Sequence, residues 1–285
     1  MAETHVLRSL SDVYRYFRRN TRPVYFVSPT PYNLLGIDEW VGEFRYITYF
    51  DSFDRAHARS FSPAHAGPRE FESFESVNSY LLGHKEVVDH IRTHGAGQVL
   101  FVMFDEETAE LAEELGLEIA LPRLGLRRRI DSKLETTRLG NEAGVASVPN
   151  IVGRAGTYEE LQALAASAGL GDDLVVQTPY GDSGRTTFFI ADGGDWDEHS
   201  AHLGDEEVKV MRRINHFPGT LEAVATRQGT LVGPIQTDIT GFQELTPYRG
   251  GWCGNDVYPR VFDEKTRQSI THMAQRLGDR LYAEG

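Results

Sequence analysis

Short apolar runs with the length of strands recur through the first 125 residues. Residues 23–30, 45–53 and 98–105 are rich in β-branched and aromatic residues and end at turn-forming residues, and 117–122 is a fourth run of this kind. Runs without alternating polar positions are typical of strands buried on both faces. This pattern therefore predicts the central strands of a parallel sheet.

The segments around these strands place apolar residues at helical spacing. Ser9 and Asp12 form a capping pair before the first such segment, residues 76–93 form a second, and Asp105 caps a third that stops at Gly116. Strand and helix therefore alternate, which predicts an open α/β domain over residues 1–125.

The segment between the second and third strands is polar and carries proline and glycine, so it is predicted to be a loop. His57 and His65 lie in this loop at a spacing that fits no metal-site template. We interpret them as a solvated pair.

The second half begins with a helix from near Asp131 to Gly144, followed by a capping box at Thr157 and Glu160 before another helix. Two strands at 174–179 and 186–192 then flank a glycine-bearing loop. This arrangement predicts a strand–loop–strand unit.

A further strand at 207–214 and a hairpin over 220–240 that turns at Gln228 and Gly229 follow this unit. Residues 241–259 show no regular pattern, and Asp263 caps a final helix. That helix has one apolar face, formed by Ile270, Met273, Ala274, Leu277 and Leu281.

Composition and charge narrow the class of protein. The 285 residues are 40% hydrophobic and 11% aromatic, as expected for packed domains, and no apolar run approaches the roughly 20 residues of a membrane span. The lack of such a run predicts no membrane partner, and a net charge of −13 opposes polyanion binding and so predicts no nucleic-acid partner. The N-terminal residues do not resemble a secretory signal, which predicts a cytoplasmic location.

Two local features remain open in their interpretation. The single cysteine, Cys253, rules out an intramolecular disulfide, and we interpret it as a packed small hydrophobe rather than a catalytic thiol. The basic run Arg127, Arg128 and Arg129 fits a solvated face, a domain junction or a phosphate contact equally well.

The loop over residues 180–185 is the strongest candidate for chemistry. Gly181 and Gly184 let backbone N–H groups approach an anion, while Ser183 adds a hydroxyl donor and Arg185 a permanent charge. A glycine-containing hairpin turn has the same letters, so the loop alone is a weak signal. No Gly-Lys-Ser/Thr follows, which excludes a Walker loop.

From Asp131 onward the chain resembles the ATP-grasp ligases, and most closely their biotin-carboxylase-like and carboxylate–amine ligase members. The resemblance rests on the order of the lysine-bearing helix, the glycine-bearing loop, the strand "EVKVMRRI" and the segment "LEAVATRQGT". It implies an α/β fold with a pre-ATP-grasp domain over 1–125 and an incomplete ATP-grasp domain over 126–285. The latter would comprise a lid subdomain, about 150–207, and the start of a C-terminal subdomain, about 208–285.

Carried over position by position, the resemblance assigns nucleotide contacts to Lys133, Gln177, Tyr180, Gly181, Asp182, Ser183, Gly184, Arg185, Met211, Arg213 and Glu222.

Lys133 would contact the ATP phosphates, the loop would close over them as a lid, and Met211 and Arg213 would offer backbone groups to adenine. Without the resemblance, Lys133 reads as a surface helix lysine. Arg213 and Glu222 then read as exposed strand residues.

The chain departs from the family pattern at two points. Gln177 stands where the family has a second phosphate-binding lysine, and Arg185 is the candidate that would compensate for it. The family also binds Mg²⁺ through acidic residues and an asparagine on later strands, whereas Asp238, Glu244 and Asp256 lack that spacing, so no metal ligand is assigned. We interpret the chain as truncated, its final helix having lost the strands it packs on.

The resemblance implies an ATP-dependent ligase, or a fragment of one, that activates a carboxylate as an acyl phosphate for attack by an amine or similar nucleophile. Its partners would be these small molecules, with a homodimer as a possible assembly. A nucleotide-binding module without turnover and an unrelated α/β protein with a structural loop are the alternatives. Arg249 is the one candidate for gripping substrate or phosphate; the alternative is a turn arginine stacked on Trp252.

Overall fold

The computed structural model describes residues 6–31, 34–65, 69–181, 184–257 and 261–285. The chain divides into two compact units, one up to Leu124 and one from Gly125 onward. Within the described residues, no helix combines the length and the apolar composition that crossing a bilayer demands.

The first unit is built on a parallel sheet. Its elements are α1 (Leu10–Arg18), β1 (Val24–Ser28), α2 (Ile37–Trp40), β2 (Phe44–Thr48), β3 (Ser60–Phe61), α3 (Phe74–Gly83), α4 (Lys85–His94), β4 (Gln98–Phe101), α5 (Glu106–Glu114) and β5 (Glu118–Ile119). The five strands pair in parallel in the order β3-β2-β1-β4-β5. The predicted α/β class is therefore confirmed.

Alternate side chains of β1 pack into two separate hydrophobic cores, one on each face of the sheet. Tyr25 and Val27 are fully buried with α3, α4 and α5 on one face of the sheet. Phe26 packs with Phe44 and Tyr46 on the other face. Burial on both faces explains why this strand has an uninterrupted apolar sequence.

Two predictions for this unit were wrong in detail. The expected single helix over 76–93 is broken at His84, whose extended backbone ends α3 and whose ring Nδ1 accepts a hydrogen bond from the backbone N–H of Glu86 in the first turn of α4. The expected loop contains the short strand β3.

The two loop histidines are not a solvated pair. His57 lies 3.7 Å from the Asp38 carboxylate, and His65 stacks on Tyr49 with ring centres 4.1 Å apart. Each ring is partly buried in its own surroundings. Both histidines contact residues that are distant in the sequence, through stacking or polar contacts. The spacing of the two histidines could not show these contacts.

The second unit contains two antiparallel sheets. Its elements are α6 (Leu124–Asp131), α7 (Lys133–Glu142), β6 (Asn150–Gly153), α8 (Tyr158–Ser167), β7 (Leu174–Gln177), β8 (Thr187–Ile190), α9 (Gly193–His199), a short 3-10 helix (Ser200–His202), β9 (Val208–Arg212), β10 (Gly219–Thr226), β11 (Gly229–Thr240), β12 (Trp252–Asp256) and α10 (Glu264–Tyr282). The strand orders are β6-β9-β7-β8 and β10-β11-β12.

The four-stranded sheet has one face covered by helices. Val176, Phe188 and Val210 are buried on that face with Leu161 of α8 and Trp196 of α9. Since side chains alternate along a strand, the intervening residues of each strand lie on the opposite face. We refer to that opposite face as the open face.

Several boundaries in this unit differ from expectation. The helix expected from near Asp131 starts at Lys133, capped by Ser132, because α6 precedes it. Thr157 caps α8 as predicted, but the Glu160 carboxylate accepts a hydrogen bond from Gly156 rather than closing a box on Thr157.

The region after β9 also differs from expectation. The hairpin pairs Thr226 with Gly229, so its turn lies one residue earlier than predicted, and the segment expected to be irregular contains β12. The final helix packs on β10 and β11, where the Thr230 hydroxyl donates to the Asp279 carboxylate at 2.7 Å. Its apolar face therefore has a sheet to pack on, contrary to the interpretation made from sequence.

Candidate functional site

The open face of the four-stranded sheet presents two rows of side chains. One row runs Val152, Lys209, Gln177 and Thr187 across β6, β9, β7 and β8, and the next runs Asn150, Met211, Val175 and Phe189. Directly paired residues of antiparallel strands have Cβ atoms about 5 Å apart on the same face. The face thus combines a polar, cationic row with a mostly apolar row.

Lys133 connects helix α7 to the glycine-bearing loop. Its backbone N–H donates to the Pro179 carbonyl at 2.8 Å, and its ammonium donates to the Gly181 carbonyl at 2.5 Å. Ser132 caps the helix by accepting from Glu135 at 3.4 Å, which fixes Lys133 as its first residue. The structure therefore brings together the first two pieces that the sequence assigned to phosphate binding.

The loop is closed at its base by one hydrogen bond that continues the β7–β8 pairing and by a turn at the start of β8. Thr178 N–H donates to Thr186 at 3.3 Å, and Thr187 N–H donates to Gly184 at 3.2 Å. Tyr180 is exposed, and its carbonyl accepts from the Thr178 hydroxyl at 2.8 Å. The base of the loop is therefore anchored on both strands.

Glycine is required at Gly184, which has φ of +83° and would place a Cβ 3.0 Å from the Gly251 nitrogen. This part of the loop therefore lies directly against the segment before β12. Arg185 beside it is exposed. Asp182 and Ser183, also assigned to the nucleotide, lie outside the described residues.

Gln177 is the residue that the resemblance matches to a second phosphate-binding lysine. Its Nε2 donates to the Thr187 hydroxyl at 3.0 Å, within the polar row of the open face. The amide brings no charge to this face.

Sequence reasoning missed Lys209, the neighbour of Gln177 on β9. Its side chain is half-buried, and burial together with the positive charge of Lys133 lowers its pKa. Among the described residues it makes no hydrogen bond or ion pair. The polar position within "VKVMRR" was the available signal, because a lysine between two buried valines must project from the opposite face of the strand.

Arg249 lies over the apolar row. Its guanidinium carbon is 4.8 Å from the centre of the Phe189 ring, and that of Arg213 is 5.7 Å from the same ring. In the part of the chain that the structure describes, Arg249 stacks on Phe189 and not on Trp252, the alternative considered from sequence; the Trp252 indole N–H donates to Asn255 at 3.1 Å. The loop that follows β11 therefore adds a cation to the open face.

Backbone donors of the predicted adenine-binding strand are already used. Met211 is paired on both sides, with Asn150 and Val175, and the Arg213 N–H donates to Asp173 at 2.9 Å. Of the backbone groups predicted to contact adenine, this leaves the carbonyl of Arg213 and the residues that follow it. Glu222 lies exposed at a bulge of β10, on the three-stranded sheet.

The acidic residues of the second unit do not assemble a metal centre in the part of the chain that the structure describes. No group of three His, Cys, Asp or Glu side chains there has the arrangement of a metal site. Asp238 instead accepts a hydrogen bond from Asn255 at 2.6 Å across β11 and β12. These residues therefore do not fit the family's Mg²⁺ site.

Comparison with known proteins places the fold. No protein-family model and no curated protein matches the chain. Among solved structures, carboxyaminoimidazole ribonucleotide synthase from Aspergillus clavatus complexed with ATP is 14% identical, with a TM-score of 0.59 over 91% of this chain and 63% of its own. Biotin carboxylase from Campylobacter jejuni is 13% identical, with a TM-score of 0.65 over 92% of this chain and 60% of its own.

D-alanyl-alanine synthetase A from Vibrio cholerae is 11% identical, with a TM-score of 0.51 over 65% of this chain and 59% of its own. The chain thus spans less than two thirds of the length of each of these three proteins. At such low identity the likeness establishes fold alone. The chain has the ATP-grasp fold of the biotin-carboxylase type.

Proposed function

We propose that this chain binds ATP on the open face of its four-stranded sheet, as the nucleotide-binding part of an ATP-dependent carboxylate ligase. In this proposal residues 150–207 belong to the lid subdomain and residues 208–285 to the start of the C-terminal subdomain. The triphosphate lies toward Lys133 and the loop at 180–185. The adenine ring lies toward the apolar row that contains Val175 and Met211.

One observation carries this proposal. The Lys133 ammonium donates to the carbonyl of Gly181, a residue 48 positions further along the chain. A helix lysine and a glycine-bearing loop that both suit phosphate are therefore adjacent in space. The ammonium is a compact charge that can exchange a carbonyl for a phosphate oxygen without moving the helix.

The open face supplies binding rather than acid–base chemistry. A carboxylate oxygen of the substrate attacks the γ-phosphorus, ADP leaves, and an acyl phosphate remains; the amine nitrogen then attacks the acyl carbon and releases inorganic phosphate. Cations around the phosphates stabilise the charge that develops during transfer. Because the described acidic residues do not fit Mg²⁺, no step here is assigned to the metal.

Isothermal titration with ATP, ADP and adenosine tests the proposal. We expect ATP to bind more tightly than adenosine, because the triphosphate adds contacts to Lys133 and the loop. Folded protein that binds no ATP would contradict the function. ATP binding without ADP release across a panel of carboxylates and amines would favour a nucleotide-binding module without turnover.

A further inference from the structure

The open face carries a positively charged residue directly beside Gln177, which is itself uncharged. Gln177 and Lys209 are directly paired residues of the antiparallel strands β7 and β9. Their side chains therefore project from the same face with Cβ atoms about 5 Å apart. A lysine stem is longer than this separation, so an ammonium based on β9 reaches the space in front of β7.

The surroundings of Lys209 fit an anion-binding role. Val208 and Val210 on either side are buried in the helix-covered core, which directs Lys209 to the open face. Within the described residues its ammonium makes no hydrogen bond or ion pair, although the side chain is half-buried. A half-buried cation that no protein carboxylate neutralises is costly, and an anionic ligand would offset that cost.

The position of Lys133 gives an independent indication. Helix α7, which begins at Lys133, packs against β9, and the positive charge of Lys133 contributes to lowering the pKa of Lys209. The chain has four lysines, Lys85, Lys133, Lys209 and Lys265, and 25 of its 29 basic residues are arginine. Two of the four lysines therefore lie on elements that pack together, and one of them, Lys133, donates to the glycine-bearing loop.

We propose that Lys209 supplies the second phosphate-contacting ammonium of the nucleotide site, from the strand next to the one where the lysine is missing. This inference rests on the proposed function, and it assigns to Lys209 the role that the sequence left to Arg185. The ligand class is the polyphosphate chain of a nucleoside triphosphate.

Substitution of Lys209 by methionine tests the proposal, because methionine keeps an unbranched stem and removes the charge. We expect Lys209→Met to weaken ATP binding roughly ten- to hundredfold, the effect of losing one charged hydrogen bond, and to leave adenosine binding unchanged. Lys265→Met is the matched control, since Lys265 is an exposed lysine on α10. Adding Gln177→Lys to Lys209→Met should recover most of the ATP affinity.

A second measurement uses the unaltered protein and so does not depend on the variant folding. Limited acetylation followed by mass spectrometry should show that ATP protects Lys133 and Lys209 but not Lys265, whereas adenosine protects none of them. Wild-type protein that binds ATP while Lys209→Met binds equally well, or while Lys209 is acetylated equally with and without ATP, would overturn the role of Lys209 alone. Failure of the wild-type protein to bind ATP would overturn the proposed function and this inference together.

Discussion

The guanidinium of Arg249 lies over the ring of Phe189, 4.8 Å from its centre. Arg249 belongs to the loop before β12 and Phe189 to the open face of the four-stranded sheet. The contact therefore links the loop to the sheet that carries the candidate site. Its strength is a direct measure of how firmly that loop is held.

A double-mutant cycle on this pair should reveal coupling. We expect Arg249→Met and Phe189→Leu to show an interaction of about 0.5–1 kcal/mol in the free energy of unfolding, as is typical of exposed cation–π contacts. Urea unfolding of the two single variants and the double variant measures it. Arg213 is the control: it lies 5.7 Å from the same ring and also pairs with Asp173 at 3.5 Å, so its coupling to Phe189 should be smaller. The reverse order would contradict the geometry.

Removal of the Lys133 ammonium should separate phosphate binding from base binding. We expect Lys133→Met to weaken ATP roughly ten- to hundredfold, because a charged hydrogen bond to phosphate is lost, and to leave adenosine unaffected. Calorimetric titration with both ligands measures the difference, with Lys265→Met as control. Equal weakening of both ligands would show that the substitution disturbs the loop rather than a phosphate contact.

His90 should make the first unit less stable in acid. Its ring stacks on Phe61 with ring centres 4.3 Å apart, and its Nε2 is buried without a hydrogen-bond partner among the described residues. Burial, followed by the charges of His94 and Arg45, lowers the pKa of His90 from 6.5 to about 4. A lowered histidine pKa means that the folded state favours the neutral ring. This stabilisation is complete above pH 6.5 and is lost as the pH falls toward about 4.

Histidine ring titration by NMR should locate that pKa. The free energy of unfolding should fall by at most about 3 kcal/mol over this range on account of His90, and His90→Phe should reduce the slope accordingly. The exposed His216→Gln variant serves as control and should keep the wild-type slope. A His90 ring that titrates near pH 6.5 would contradict its burial.

Two helix glycines should respond oppositely to alanine. A Cβ at Gly278 of α10 would lie 2.5 Å from the Thr230 side chain, so Gly278→Ala should destabilise the fold by about 1–3 kcal/mol through overcrowding against β11. At Gly140 of α7 the nearest atom is 3.9 Å away, and Gly140→Ala should stabilise it by about 0.5–1 kcal/mol. Thermal unfolding of the two variants tests this, and equal shifts in Tm would contradict it.

Local chemistry made much of the fold predictable. Four helices begin where a side-chain oxygen accepts a hydrogen bond from a backbone N–H, after Ser9, Asp105, Thr157 and Asp263. Such caps involve residues that are close together in the sequence, so the sequence alone can predict them. The break between α3 and α4 was missed because a histidine, rather than glycine or proline, adopts the extended backbone there.

The candidate site was less predictable than the fold. Lys133 and the loop were assigned to phosphate through the order of several pieces along the chain, because neither is a strong signal by itself, and this assignment stays a prediction. Lys209 was missed because its significance depends on its pairing with Gln177, and register between distant strands cannot be read from either strand alone. The stacking of Arg249 on Phe189 was missed because the two residues are far apart in the sequence and only the fold brings them together.

Only His84 separates helix α3 from helix α4. Because this one residue ends α3 and opens α4, an insertion here could not be absorbed by a loop. Each added residue would turn α4 by about 100° about its own axis and carry Val87 and Ile91, now buried, away from the sheet. We therefore expect insertions in this unit to be tolerated only at other connections.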